Sequence, residues 1–160
     1  MTIKVGDHIP DVTVRTMTPE GPKPVQTGEV LGSGRVVLFA VPGAFTPTCS
    51  DHHLPGFVLR ADDLKAKGVT TVACVSVNDA FVMGAWGQAQ GVDGSVVMLA
   101  DGSGDFTRAM GLELDLSGGG LGLRSRRYAA ILDDGVVRHL AVEEGPGLTV
   151  SAADAVLAEL

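Results

Sequence analysis

The chain has 160 residues, with 12 lysines plus arginines against 19 aspartates plus glutamates, so its net charge is −7. That balance, with no run of basic residues, argues against nucleic acid and anionic membrane as partners. The length suits one domain over residues 1–160, which at this size buries roughly 70% of the surface its unfolded chain exposes. A composition that is 45% hydrophobic but only 4% aromatic, with 22 glycines and eight prolines, excludes disorder and coiled coil and points to a Val, Ala and Leu core cut by tight loops. Two cysteines, Cys49 and Cys74, are too few for a disulfide scaffold, and the start Met1-Thr2-Ile3-Lys4 shows no secretory apolar region, so a reducing cytoplasm is the expected compartment. The longest apolar stretch, residues 36–45, is interrupted by Pro42 and Gly43 and falls short of the ~20 residues a membrane helix needs.

Residues 35–41 (Arg-Val-Val-Leu-Phe-Ala-Val) read as a strand buried on both faces, stopped by Pro42. Leu54, Phe57, Val58, Ala61 and Leu64 then recur at helical spacing, ending in Lys65 and Lys67 before Gly68. Pro55 lies inside that helix without an N–H, which predicts a kink or bulge one turn after the start. Residues 70–77 form a second strand, and Asn78-Asp79 caps a helix over 80–90. A short strand over 96–99, a brief helix near 106–110 and a glycine-rich loop over 117–122 follow. The strands 128–132 and 136–142 flank Asp133-Asp134-Gly135, a strong hairpin signal, and residues 151–160 form a last short helix capped by Ser151. Strands alternating with crossover helices imply a parallel core, and the late hairpin adds antiparallel strands. The expected class is therefore α/β, with a mixed central sheet flanked by helices on both faces.

Cys49 sits where the first buried strand hands over to a helix. Thr48 and Asp51 fit a capping pair that starts the helix at Thr48 and places Cys49 in its first turn. Unpaired N–H groups and the positive end of the helix dipole then face the sulfur and favour a thiolate. Asp51 and the overall negative charge oppose this, so a cation is needed from elsewhere. Arg124, Arg126 and Arg127 form the one dense basic cluster, and the sheet topology can bring one of them beside Cys49. A zinc site from Cys49, His52 and His53 is disfavoured, because adjacent histidines on a helix point about 100° apart and no further Cys or His pair completes the ligands.

Pro42-x-x-x-Thr46-x-x-Cys49 resembles the active-site motif of the peroxiredoxins, and the fuller string Pro42 through Phe57 resembles their type II, peroxiredoxin five-like branch. Val5-Gly6-Asp7, the run Val75-Ser76-Val77-Asn78-Asp79-Ala80-Phe81-Val82-Met83, Trp86-Gly87 and Arg127-Tyr128 extend the likeness over nearly the whole chain. The resemblance implies a thioredoxin-like fold and an antioxidant peroxidase with Cys49 as its redox-active nucleophile. It further implies that Thr46 orients peroxide and thiolate, Pro42 shields the sulfur, Arg127 is the active-site guanidinium and His53 supports the site. No metal or organic cofactor is implied. The chemistry asks for such groups independently: cleaving a peroxide O–O bond develops negative charge on the leaving oxygen, and aimed donors stabilise it. With Thr46 where thioredoxin-like folds carry the first cysteine of Cys-x-x-Cys, dithiol exchange within the motif is impossible.

A sulfenic acid on Cys49 must be reduced before it over-oxidises. Some members of the branch carry a resolving cysteine in a segment resembling residues 147–151; here that position is Val150. Cys74 matches a cysteine of some members, but its mid-strand context reads as core, and a bridge would need its Cα within about 7 Å of that of Cys49. The expected reductant is therefore external: glutathione, glutaredoxin, thioredoxin or another low-molecular-weight thiol. The glycine-rich loop lacks the Lys-Ser/Thr of a phosphate loop and reads as a flap near the site. Phe45, Phe81, Val82, Met83 and Trp86 lie in segments the family uses for a homodimer contact. The rival from another class is a noncatalytic thioredoxin-like binding or chaperone module in which Cys49 is structural.

Overall fold

The computed structural model describes residues 1–160. In chain order its elements are β1 (Thr13–Thr18), β2 (Gly21–Gln26), α1 (Thr27–Val30), β3 (Arg35–Val41), a π-helical turn (Cys49–His53), α2 (Leu54–Leu59), α3 (Ala61–Ala66), β4 (Val69–Ser76) and α4 (Ala80–Ala89). They continue with β5 (Val97–Ala100), α5 (Asp105–Met110), β6 (Glu113–Leu116), a 3-10 turn (Ser117–Gly119), β7 (Gly122–Ser125), β8 (Tyr128–Asp133), β9 (Val136–Val142) and α6 (Ala153–Leu157). Seven strands form one sheet in the order β2-β1-β5-β4-β3-β8-β9, while β6 and β7 pair apart from it. The centre is parallel (β3 with β4, β4 with β5) and both flanks are antiparallel, so the sheet is mixed as its sequence predicts.

β3 explains why its sequence is apolar throughout. Val37, Phe39 and Val41 point to one face and Val36, Leu38 and Ala40 to the other, and all six are fully buried. The first face packs under α2, α3, α4 and α6 through Leu54, Phe57, Leu64, Met83, Trp86 and Val156. The second packs against Phe106, Met110 and Leu112 together with Ile3 and Ile9 of the amino-terminal segment. Both cysteines belong to the first face, so the helix carrying Cys49 lies over the strand carrying Cys74.

Local chemistry accounts for most boundaries. Asp79 caps α4 by accepting from the Val82 N–H at 2.8 Å. Asp134 and Gly135 both adopt positive φ (47° and 81°), the twist that a two-residue hairpin turn between β8 and β9 requires. Pro55 produces the expected irregularity: its ring offers no N–H to the Asp51 carbonyl, the turn before it widens, and the Leu54 N–H bonds back to the Cys49 carbonyl five residues earlier. The Arg60 junction then separates α2 from α3, so the single amphipathic helix read from periodicity is three short pieces around one face.

Three local readings are corrected. Thr48 is already helical and its side chain caps nothing; the helix opens one residue earlier, with Pro47 at its first position and the Ser50 N–H bonding to the Thr46 carbonyl. Ser151 does not cap α6, because its N–H and hydroxyl both turn to Glu143. The glycine-rich loop is the tip of the β6–β7 hairpin, which the periodicity of residues 113–125 does not reveal. The β1–β2 hairpin was also not legible, since Pro22 and Pro24 argue against a strand. Both lie on the edge strand at alternate positions, opposite Met17 and Arg15, where the missing N–H faces away from β1.

Replacing Asp79 by Ala should cost about 1 kcal/mol, as loss of a helix cap does. Phe39→Ala, which empties the stack of Phe39 on Phe57 (centroids 4.0 Å apart), should cost about 3–5 kcal/mol. Urea unfolding of the two variants checks both the order and the size of the effects.

Candidate active site around Cys49

Cys49 lies in the first turn of the helix after β3 and has no exposed surface. Its main-chain N–H makes no backbone hydrogen bond, as expected of a first-turn amide. Because β8 runs antiparallel beside β3, Arg127, the residue before β8, arrives next to this turn. Its Nη2 donates to the Cys49 Sγ at 3.1 Å and its Nη1 to His53 Nδ1 at 2.8 Å. Arg127 is only 7% exposed and forms no ion pair with a carboxylate. The three clustered arginines divide: Arg124 reaches the Pro42 carbonyl, Arg126 the Glu143 carbonyl, and Arg127 the sulfur.

His53 is buried one helical turn from Cys49, and its partners fix its state. The Ser151 carbonyl, 2.9 Å from Nε2, can only accept, and the Arg127 guanidinium can only donate, so Nε2 carries the hydrogen and Nδ1 offers its lone pair. Burial, then the charge of Arg127, lower its pKa to about 3, so the ring is neutral. With both nitrogens committed it is not free to ligate a metal, and His52 points to solvent.

Thr46 and Pro42 line a cleft of about 710 Å³ together with Arg127, Arg126, Leu114, Leu116, Glu113 and Glu144. The Thr46 hydroxyl donates to the Gly43 carbonyl at 2.6 Å. Its proton is therefore engaged, and what it presents is an acceptor lone pair. The β6–β7 hairpin supplies Leu114 and Leu116, which puts the glycine-rich tip near this cleft. Cys74 lies mid-strand between Phe39 and Met98, fully buried; burial foremost, and the neighbouring Cys49, push its thiol pKa up. Of the large apolar residues near the site, Met83 and Trp86 are core, while Phe45 and Phe81 are 55% and 67% exposed.

Three supports escaped the sequence. Asn78 Oδ1 accepts from the Ala44 N–H at 3.0 Å and holds the loop before Cys49. Trp86 Nε1 donates to Ser50 Oγ at 2.9 Å. Glu143 is buried and accepts four hydrogen bonds, from the N–H and hydroxyl groups of Thr149 and Ser151 at 2.7–2.9 Å. Burial would raise its pKa, but these bonds win and bring it to about 2. Gly145-Pro146-Gly147 marks the turn that returns Thr149 and Ser151 to Glu143, but no local pattern pairs them with it.

Residues 4–157 match the redoxin family. The chain is 54% identical to peroxiredoxin-2E-2, chloroplastic, of Oryza sativa subsp. japonica, over 99% of this chain and 73% of that protein. It is 49% identical to peroxiredoxin-2E, chloroplastic, of Arabidopsis thaliana, over 99% of this chain and 70% of that one. The structure of reduced Prx3 in complex with hydrogen peroxide from Vibrio vulnificus superposes with a TM-score of 0.94 at 52% identity, covering 99% of each chain. The two chloroplastic relatives overturn the expectation of a cytoplasmic location: two free cysteines are compatible with reducing conditions and do not say which compartment provides them. The noncatalytic rival is likewise not favoured, because the relatives over nearly the full chain are peroxiredoxins. With the redoxin match, these identities and the thioredoxin-like mixed sheet together, the chain belongs to the peroxiredoxins, in their type II, peroxiredoxin five-like branch, and is a thiol-dependent peroxidase.

Proposed function

We propose that Cys49 is the peroxide-reducing nucleophile, that hydrogen peroxide and alkyl hydroperoxides are its substrates, and that an external thiol resets it. The observation that carries this reading is the 3.1 Å contact between the Arg127 guanidinium and the Cys49 sulfur. The Cys49 thiolate attacks one peroxide oxygen, the O–O bond breaks, and the leaving oxygen takes a proton to depart as water or alcohol. The products balance as a sulfenic acid on Cys49 and ROH. Arg127 supplies positive charge and N–H groups where negative charge passes from sulfur to the leaving oxygen, and the free Cys49 N–H adds a second donor. Thr46 accepts from the peroxide O–H and so orients it. Pro42 and the apolar side chains Leu114 and Leu116 line a cleft with room for an alkyl group. His53 acts by holding Arg127.

In the reset, one thiol displaces water from the sulfenic acid to give a mixed disulfide, and a second releases Cys49. The chemistry suits glutathione, glutaredoxin, thioredoxin or another low-molecular-weight thiol. Cys74, closed inside the sheet and held protonated by burial, is poorly presented for this step. The exposed Phe45, in the loop after β3, and Phe81, in the first turn of α4, are suited to a homodimer contact.

Cys49→Ser should abolish peroxide consumption, and brief stoichiometric peroxide should add one oxygen to Cys49 in the native protein, read by intact mass and peptide mapping. Cys74→Ser should keep turnover with external thiols; loss of turnover with every reductant, with the first oxidation intact, would overturn the external reset. Arg127→Lys, which keeps the charge but not the forked contact to Sγ and His53, should slow Cys49 oxidation by about 100-fold, the equivalent of about 3 kcal/mol.

His53 also predicts a pH dependence of stability. Its pKa is about 3 when folded against 6.5 ordinarily, so between those values the unfolded chain binds the extra proton and stability falls as pH falls. Glu143, at about 2 folded against 4.5, loses its contribution only below 4.5. Urea unfolding should therefore show a loss of roughly 2 kcal/mol between about pH 6.5 and pH 5 that is absent in His53→Gln.

A further inference from the structure

Glu143 lies beside the active-site cleft yet has no place in the chemistry above. Oε2 accepts from the Thr149 N–H, the Ser151 N–H and the Ser151 hydroxyl, and Oε1 accepts from the Thr149 hydroxyl. These four bonds commit the carboxylate to groups of its own chain. What it does hold is the main chain of residues 149–151, folded back over the Gly145-Pro146-Gly147 turn. That main chain ends in the Ser151 carbonyl, which takes the His53 Nε2 hydrogen. That bond leaves the Nδ1 lone pair facing Arg127, whose other nitrogen meets Cys49. The Glu143 N–H in turn donates to the Arg127 carbonyl at 2.9 Å, so the same residue grips both ends of the chain of contacts.

We infer that Glu143 is a positioning residue for the peroxidase reaction: through the 149–151 strap it fixes the acceptor that sets the His53 tautomer, and thereby the orientation of Arg127 on Cys49. The inference rests on the reading of Cys49 as the nucleophile. Two features favour it over a merely structural tie. Every link is a directed hydrogen bond with one possible polarity, so disorder at Ser151 passes to the histidine ring, which can then turn its N–H toward the guanidinium. The strap also carries Val150, 45% exposed, so it is held at the surface by Glu143 rather than by burial of its own apolar side chain.

The test separates geometry from charge. In Glu143→Gln the amide oxygen can take the place of Oε2 and keep both backbone N–H groups, while the amide N–H₂ donates to a rotated Thr149 hydroxyl. Glu143→Ala removes every acceptor. The readouts are the second-order rate of Cys49 oxidation by hydrogen peroxide and the pH profile of Cys49 alkylation mapped by peptide mass, measured on protein shown folded by circular dichroism. Arg127, which donates to Cys49, His53, which accepts from Arg127, and Cys74, whose thiol feels Cys49, are all retained in each variant.

Glu143→Ala is expected to slow oxidation by about ten-fold, the scale of losing an outer group that orients a contacting one, and to move the alkylation midpoint to higher pH. Glu143→Gln is expected to restore most of both. A folded Glu143→Ala with a native alkylation profile overturns the inference, and so does Glu143→Gln as impaired as Glu143→Ala. Should Glu143→Ala not fold, Thr149→Val with Ser151→Ala removes two of the four donors and leaves both amides. A smaller shift in the same direction supports the inference, and no shift overturns it. Alkylation reports thiol reactivity without turnover, so a Cys49→Ser protein that still consumed peroxide would fail the functional reading separately.

Discussion

The arrangement turns on one buried cation. Arg127 is almost wholly removed from solvent, and no carboxylate pairs with it. An unpaired buried charge costs several kcal/mol, and such a group persists only where its hydrogens are taken and an anion is available part of the time. Here the hydrogens meet the sulfur of Cys49 and the lone pair of a histidine held neutral. The histidine matters because it is neutral: a protonated ring would repel the guanidinium and lose its acceptor. The low-polarity packing of His53 against the stacked Phe39 and Phe57, with ring centroids 5.0 and 5.6 Å away, secures that state.

The sheet places these groups. β3 delivers the loop and helix that carry Cys49 and His53, and its antiparallel neighbour β8 begins with the residue after Arg127. The nucleophile and its cation come from adjacent strands whose register is set by complete burial of both faces, where a slip by one residue would exchange every core side chain. Asn78, two residues past β4, steadies the loop from the other side, so the site is suspended between three neighbouring strands rather than built on one mobile loop.

The parts legible in the sequence are those whose cause is local. The continuous apolar run of β3, the Asp134-Gly135 turn, the Asp79 cap and the irregularity ahead of Pro55 follow from neighbours a few residues apart. The cysteine at a strand-to-helix junction is local too, and the motif around it carried the family resemblance. Arg127 was singled out by clustering and by that resemblance, not by any pattern linking it to Cys49. Glu143, Ser151 and Asn78 act across long separations through main-chain groups, which leave no trace in residue type. The polarity of Thr46 is not legible for the same reason: a hydroxyl is donor and acceptor alike until the Gly43 carbonyl claims its proton. The compartment was misread because redox chemistry constrains conditions and not location.

The proline-bearing edge has a consequence of its own. On the outer side of β2, Pro22 and Pro24 present no amide hydrogen where an incoming strand would need a donor, so an added chain cannot complete a ladder there. Association at that border must be made by side chains instead of backbone. This shields the β2 border of the mixed sheet from open-ended stacking, a failure to which sheets with slow long-range pairings are exposed while they are still folding.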